Sequence, residues 1–238
     1  MTGQPILEMR GIVKSYNALR PLRIAELSIA PGARVAVAGI DAPGAEVMLN
    51  LVTGASLPDQ GEVRVFGRST AAVSDGDEWL ASLDQFGIVS ERAVLLEGAT
   101  LMQNLALPFA LEIDPVPPST IARVEALADE CEIGREYLSQ RAGDVPAAVR
   151  TRVHLARAIA LNPRLLLMEH PTATLEDNGP AAFGGVVARV CDRRTLTMMS
   201  VTQDLQFASA AAHETLTLQA ATGRLVAARR SWWRGGLK

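Results

Sequence analysis

The stretch HLARAIALNPRLLLMEHPT, residues 154–172, decides how the chain is read. Its first half continues a helix in which Val153, Leu155, Ala156 and Ile159 supply the apolar positions. Its second half, RLLLMEH at 164–170, is a continuous apolar run of the kind that forms strands buried on both faces of a parallel sheet. On the C-terminal side, TLTMMSVTQD at 195–204 repeats the buried strand with a polar ending. HETLTLQ at 213–219 and GRLVAARR at 223–230 read as a hairpin around Ala221, Thr222 and Gly223.

On the N-terminal side, residues 92–160 read as helical: TLMQNLALPFAL, a PVPP break at 115–118, then STIARVEALADECEI with Ser119 as its cap. The first third reads as short strands at 6–9, 22–30 and 33–39, followed by an alternating strand at 61–67 and a buried one at 86–91. Between residues 39 and 54 a strand feeds a glycine-containing loop that opens a helix. After Gly44, the residues Val47, Met48, Leu51 and Val52 share one face, and Gly54 is the terminating glycine.

Composition bounds the function. The chain has 238 residues, 48% hydrophobic and 21% charged, which is globular composition. No run approaches the roughly 18 to 20 apolar residues of a membrane span. The opening MTGQPILEMRGIVKSY lacks a basic segment followed by an apolar run, so no export is expected. A formal charge of -3 argues against nucleic acid as a partner. Cys131 and Cys191 are read as plain buried thiols, and His154, His170 and His213 are too scattered in sequence for a metal site. The only lysines are Lys14 and Lys238.

Taken in order, the segments resemble the ATP-binding cassettes of ABC transporters over residues 5–229. Six landmarks carry the resemblance: Tyr16 in VKSYN, the loop GIDAPGAE at 39–46 with the helix MLNLVTG after it, the stretch 87–108, the segment 145–163, the strand and loop 164–176, and MMSVTQD at 198–204. The resemblance implies an α/β fold. Its core is a P-loop NTPase-like, mostly parallel sheet with an antiparallel N-terminal β part, and a helical part at about 92–160 is inserted in it. One domain spans 1–238, with a flexible tail at 230–238.

A phosphate loop works because a Gly-x4-Gly turn aims backbone N–H groups at the phosphates, a lysine bridges the terminal ones, and a Ser or Thr hydroxyl holds magnesium. Here Gly39 and Gly44 keep their places, but Ala45 stands for the lysine and Glu46 for the hydroxyl, and Pro43 removes a donor. A carboxylate about 4 Å from a phosphate oxygen costs on the order of 4 kcal/mol at an effective dielectric near 20. Neither lysine lies nearby in sequence to compensate.

The remaining motif positions are altered too. Tyr16 matches the aromatic that in the family stacks on adenine. The acidic pair that the family carries at the strand end becomes Glu169 and His170. Glu169 retains a charge that can face a cation, and His170 is either a poor stand-in for the carboxylate base or a plain strand-end residue. Glu91 replaces the family's loop glutamine and Gln203 its switch histidine. The family signature, which acts on nucleotide held by the opposite subunit, becomes Val145, Pro146, Ala147, Ala148 and Val149, with no hydroxyl and no glycine.

These readings predict a pseudo-ATPase subunit of a membrane transporter, with no cofactor of its own. It would act as a structural or regulatory partner of a transmembrane permease, or of an active cassette ATPase in a homodimer or heterodimer, on the cytoplasmic face of the membrane. The region Leu95 to Leu111 is the expected docking surface, or else ordinary insert core. The alternative is a weakly active transport ATPase that uses ATP and magnesium, and restoring Lys and Ser at 45 and 46 should tell the two apart. A freestanding regulatory module is a third possibility. The tail RRSWWRGGLK, with Trp232 and Trp233 among basic residues, is either disordered or touches a membrane interface or an acidic partner.

Overall fold

The computed structural model describes residues 4–73, 75–90 and 92–228. In chain order the elements are β1 (Leu7–Lys14), β2 (Leu22–Ile29), β3 (Arg34–Ala38), α1 (Ala42–Thr53), β4 (Gln60–Val65), β5 (Arg68–Ser69), α2 (Gly76–Leu83) and β6 (Phe86–Val89). Then follow α3 (Leu101–Ala106), α4 (Pro118–Glu130), α5 (Ala147–Ile159), β7 (Leu165–Glu169), α6 (Gly179–Arg194), β8 (Thr197–Val201), α7 (Leu205–Ala211), β9 (Glu214–Gln219) and β10 (Arg224–Ala227).

The apolar runs that lack alternation become the centre of the larger sheet. Strands β3 and β8 are buried along their whole length and β7 at all but its last residue, because α1 and the N-terminal sheet cover one face and helices the other. The sheet runs β10-β9-β3-β8-β7-β6, with β9, β3, β8, β7 and β6 parallel and β10 folded back on β9. The alternating N-terminal strands form a second, antiparallel sheet in the order β2-β1-β4-β5. Both sheets and the C-terminal hairpin follow the expectation from sequence.

Two apolar clusters fill the interior. One joins the N-terminal sheet to α1 through Leu7, Met9, Met48 and Leu51, and the other joins α3, α4, α5 and α6 to β7 and β8 through Leu105, Val153, Leu155 and Val187. Helix α4 is fastened to α6 by Arg194, whose Nε and Nη2 donate to both carboxylate oxygens of Glu130 at 2.7 and 2.5 Å. Cys131 and Cys191 lie in the second cluster as buried thiols, and burial raises the pKa of both, that of Cys191 to about 12.

Three local expectations are corrected. Helix α1 begins at Ala42 rather than after Gly44, because Asp41 caps it and Pro43 fits its first turn. Ser119 lies inside α4, not at its cap: Pro118, with its fixed φ and missing N–H, takes the first helical position and Pro117 the cap. Helix α6 has no counterpart in the reading from sequence, since its GPAAFGG start carries three glycines of poor helix propensity. It forms because Gly184 packs where a Cβ would stand 2.8 Å from Ala210 Cβ, letting α6 and α7 approach closely. The Trp-Arg tail lies outside the described residues.

Gly87 positions α5 on the sheet: a Cβ there would stand 2.4 Å from the carbonyl oxygen of Ala158. Gly87→Ala should therefore force backbone movement and destabilise by about 1–3 kcal/mol, read as a lower denaturation midpoint in urea with unchanged slope.

Candidate functional site

Parallel strands with helices on both faces leave one open edge where strand ends meet, and ligands of such sheets bind outside the carboxyl ends. A cleft of about 650 Å³ lies there. It is built from residues that follow four strands: Glu46 after β3, Arg92 after β6, Glu169 and His170 at the end of β7, and Gln203 and Asp204 after β8.

Asp41 organises the loop after β3. Its Oδ1 accepts from the Gly44 N–H at 3.0 Å and its carbonyl accepts from the Ala45 N–H at 2.8 Å. The Tyr16 hydroxyl donates to the same carboxylate. Burial, then the Asp41 charge and this hydrogen bond, raise the Tyr16 pKa above its ordinary value. Gly44 leaves no room for more, since a Cβ there would lie 2.8 Å from Asp41 Oδ1. Ala45 is fully buried against the core.

Across the cleft, Arg92 joins the two acidic positions. Its Nη1 donates to Glu46 Oε1, and its Nη2 donates to Glu169 Oε2 at 2.9 Å. Glu169 is the anchored end, with 13% side-chain exposure against 47% for Glu46. The cleft thus contains a cation that the count of lysines did not foresee. Both of its ends are already taken by carboxylates, and Asp204 adds a third acid to the lining.

Comparison with known proteins agrees with this architecture. The ABC transporter family model matches residues 22–173, well over half of the chain. The chain belongs to the ABC transporter family. A similar relative is the Fe(3+) ions import ATP-binding protein FbpC of Serratia marcescens, 30% identical over 220 residues, which is 92% of this chain and 61% of the relative. The chain therefore spans about three fifths of that protein's length. The lipoprotein-releasing system ATP-binding protein LolD of Alcanivorax borkumensis is 27% identical over 86% of this chain and 91% of its own. Among solved structures, the dimeric bacterial ABC transporter cassette MJ0796 superposes with a TM-score of 0.72 at 20% identity, covering 92% of this chain and 96% of its own, a likeness of fold.

A magnesium-bound triphosphate does not fit the residues this cassette presents. Such a group needs free amides at the helix start, a cation facing the phosphates and a hydroxyl on the metal. Here the Gly44 amide is used by Asp41, the lysine position is a buried alanine, and the hydroxyl position is a carboxylate paired to Arg92. Lys14 is engaged elsewhere, its Nζ donating to Leu57 O at 2.7 Å and to Asp59 Oδ1 at 3.3 Å.

His170 sits at the strand end, half-buried, with φ at +40, a left-handed conformation that costs a non-glycine residue. Its Nε2 is buried and meets no hydrogen-bonding group among the described residues. Gln203 is exposed, and its Nε2 reaches the Ile40 carbonyl only at 3.5 Å. Beside it, Asp204 caps α7 through Gln206 and Phe207 N–H and accepts from Thr172 Oγ1 at 3.1 Å. His154 and His170, distant in sequence, line one smaller cavity together with Glu169.

Val145 and Val149 are buried around the start of α5, while Pro146 and Ala148 are exposed and Ala147 is half-buried. None of these five lines the cleft. Gly39, with φ at +83, closes against Leu218 of β9 rather than facing the cleft. Glu91 lies outside the described residues. The reading from sequence missed Asp41 and Arg92. Asp41 was signalled by an acidic residue two positions before Pro43, a helix-start pattern, whereas nothing local marks Arg92.

Two measurements follow from these environments. In a Tyr137→Phe background, Asp41→Asn should lower the Tyr16 pKa only part of the way to the ordinary value, since burial remains, as read by phenolate absorbance. Asp41→Ala should also cost about 1 kcal/mol of stability through the lost cap. Burial, then the Arg157 charge, hold His154 below its usual pKa, although a hydrogen bond with the Ala93 backbone opposes the shift. Its stabilising effect is present above about pH 6.5 and is lost as pH falls, because the unfolded chain takes up the proton first. His154→Gln should flatten the fall in thermal midpoint between about pH 7 and pH 5.

Proposed function

We propose that this cassette is a non-hydrolysing subunit of a membrane transporter, a structural or regulatory partner of a permease or of an active cassette ATPase. The observation that carries the reading is Glu46: an acidic side chain at the metal-hydroxyl position, paired to Arg92 and set beside a buried alanine at the lysine position. Three carboxylates against one guanidinium give the cleft a negative balance that repels a polyphosphate. With Asp41 on the Gly44 amide and Arg92 still paired to Glu169, restoring Lys and Ser at 45 and 46 alone would fall short of a working site.

The docking surface in this reading is a groove of about 370 Å³ beside the start of the helical segment, lined by Ile88, Leu107, Pro108 and Leu161. Exposed Val94 and Leu96 flank it at 68% and 49% exposure. The expected range Leu95 to Leu111 divides accordingly: Leu95, Leu101 and Leu105 are core, and Leu107 and Pro108 line the groove. No described helix is long and apolar enough to cross a membrane, and attachment at the cytoplasmic face would run through the permease. Pairing with a second cassette follows the precedent of the dimeric MJ0796 structure.

The second reading, a weak transport ATPase, is favoured by the relatives, whose names describe ATP-binding proteins. Equilibrium titration of the purified chain with ATP, with and without magnesium, separates the two. The expected result is no saturation below about 1 mM, weaker than about -4 kcal/mol, together with co-purification of a permease. Micromolar magnesium-dependent binding would establish the ATPase reading instead.

A further inference from the structure

We propose that Arg92 is a resident cation that latches the helical segment to the sheet: it holds Glu46 of α1 and Glu169 of β7 together with no ligand present. The proposal rests on the reading that the cleft takes no magnesium nucleotide. In P-loop sites a metal ion bridges the group at the first turn of the loop helix and the acid at the strand end. Here those two positions are both carboxylates, and one guanidinium donates to each of them.

The place of Arg92 in the chain gives the bridge its consequence. It stands at the exit from β6, where the chain leaves the sheet for α3, α4 and α5. A short turn fixes the exit locally: Arg92 N–H donates to Ser90 Oγ at 3.3 Å, Ala93 N–H to Ser90 O at 3.1 Å, and Val94 N–H to Arg92 O at 3.0 Å. Arg157 of α5 secures the far side by donating to Val94 O at 2.9 Å. Arg92 ties this turn to both walls of the cleft. Val94 and Leu96, which flank the groove, follow within four residues, so the bridge sets the orientation in which the groove is offered.

Hydrogen exchange by mass spectrometry on the full chain tests the latch without nucleotide. In Arg92→Gln, amides of residues 93–106 should exchange about fivefold faster than in the wild type, while those of β1 and β2 stay unchanged. Glu46→Gln with Glu169→Gln removes the attraction without leaving two bare acids, and should loosen the same residues by a similar factor. Raising the salt concentration should speed exchange there in the wild type and leave Arg92→Gln unaffected, a response that packing alone would not give. Equal exchange at 93–106 in wild type and Arg92→Gln, or a uniform rise over the whole chain, overturns the latch. A parallel wild-type sample with magnesium ATP tests the other reading separately. Slower exchange around the cleft would defeat the non-nucleotide reading, and the unliganded comparison would still decide the latch.

Discussion

The burial of β3, β7 and β8 on both faces is the constraint from which the rest follows. A strand covered on both sides places few polar groups along its length, so the groups it offers to a ligand lie where it ends. Because the three strands are parallel neighbours, their ends fall on one edge. Any side chain at 46, 169 or 203 is therefore delivered to the same cleft whatever its identity. The frame fixes position and leaves sign and reach to the individual residues.

Those charges are interdependent. A carboxylate at 46 facing Glu169 across the cleft would be two like charges in a partly screened site, a repulsion of several kcal/mol at close range. Arg92 replaces that repulsion with two attractions. The same logic holds at the loop helix. Its first amides need an acceptor, and Asp41 supplies one from within the chain while also taking the Tyr16 hydroxyl. Both ends of the site, cationic and anionic, are thus satisfied intramolecularly.

The fold was legible where one period dominated: the apolar runs at 164–168 and 195–201 gave the parallel strands, and the hairpin after His213 was read from its turn. Helix α6 was not, because glycines at 184 and 185 hide the periodicity, and their value appears only once α7 is packed against them. In the site, the altered motif positions were legible one by one. The guanidinium linking two of them was not, since Arg92 lies 46 residues from Glu46 and 77 from Glu169 and the link exists only in three dimensions. Counting lysines therefore led to a cleft without a cation, and the structure places one there.

In the proposed reading, the surface, more than the pocket, is what this fold provides. Random decay has no reason to spare Leu155, Met168 and Met199, all fully buried, while it replaces residues at the cleft edge. A polar group at any of those core positions would cost several kcal/mol, comparable to the whole stability of a domain. In the proposed reading, the carboxylate at 46 has its ion-pair partner in the turn after β6. A cleft whose own side chains answer each other's charges keeps the sheet edge and the helical segment in register, and what that register holds in place is the outer face of the cassette, where Val94, Leu96 and the groove beside them meet solvent.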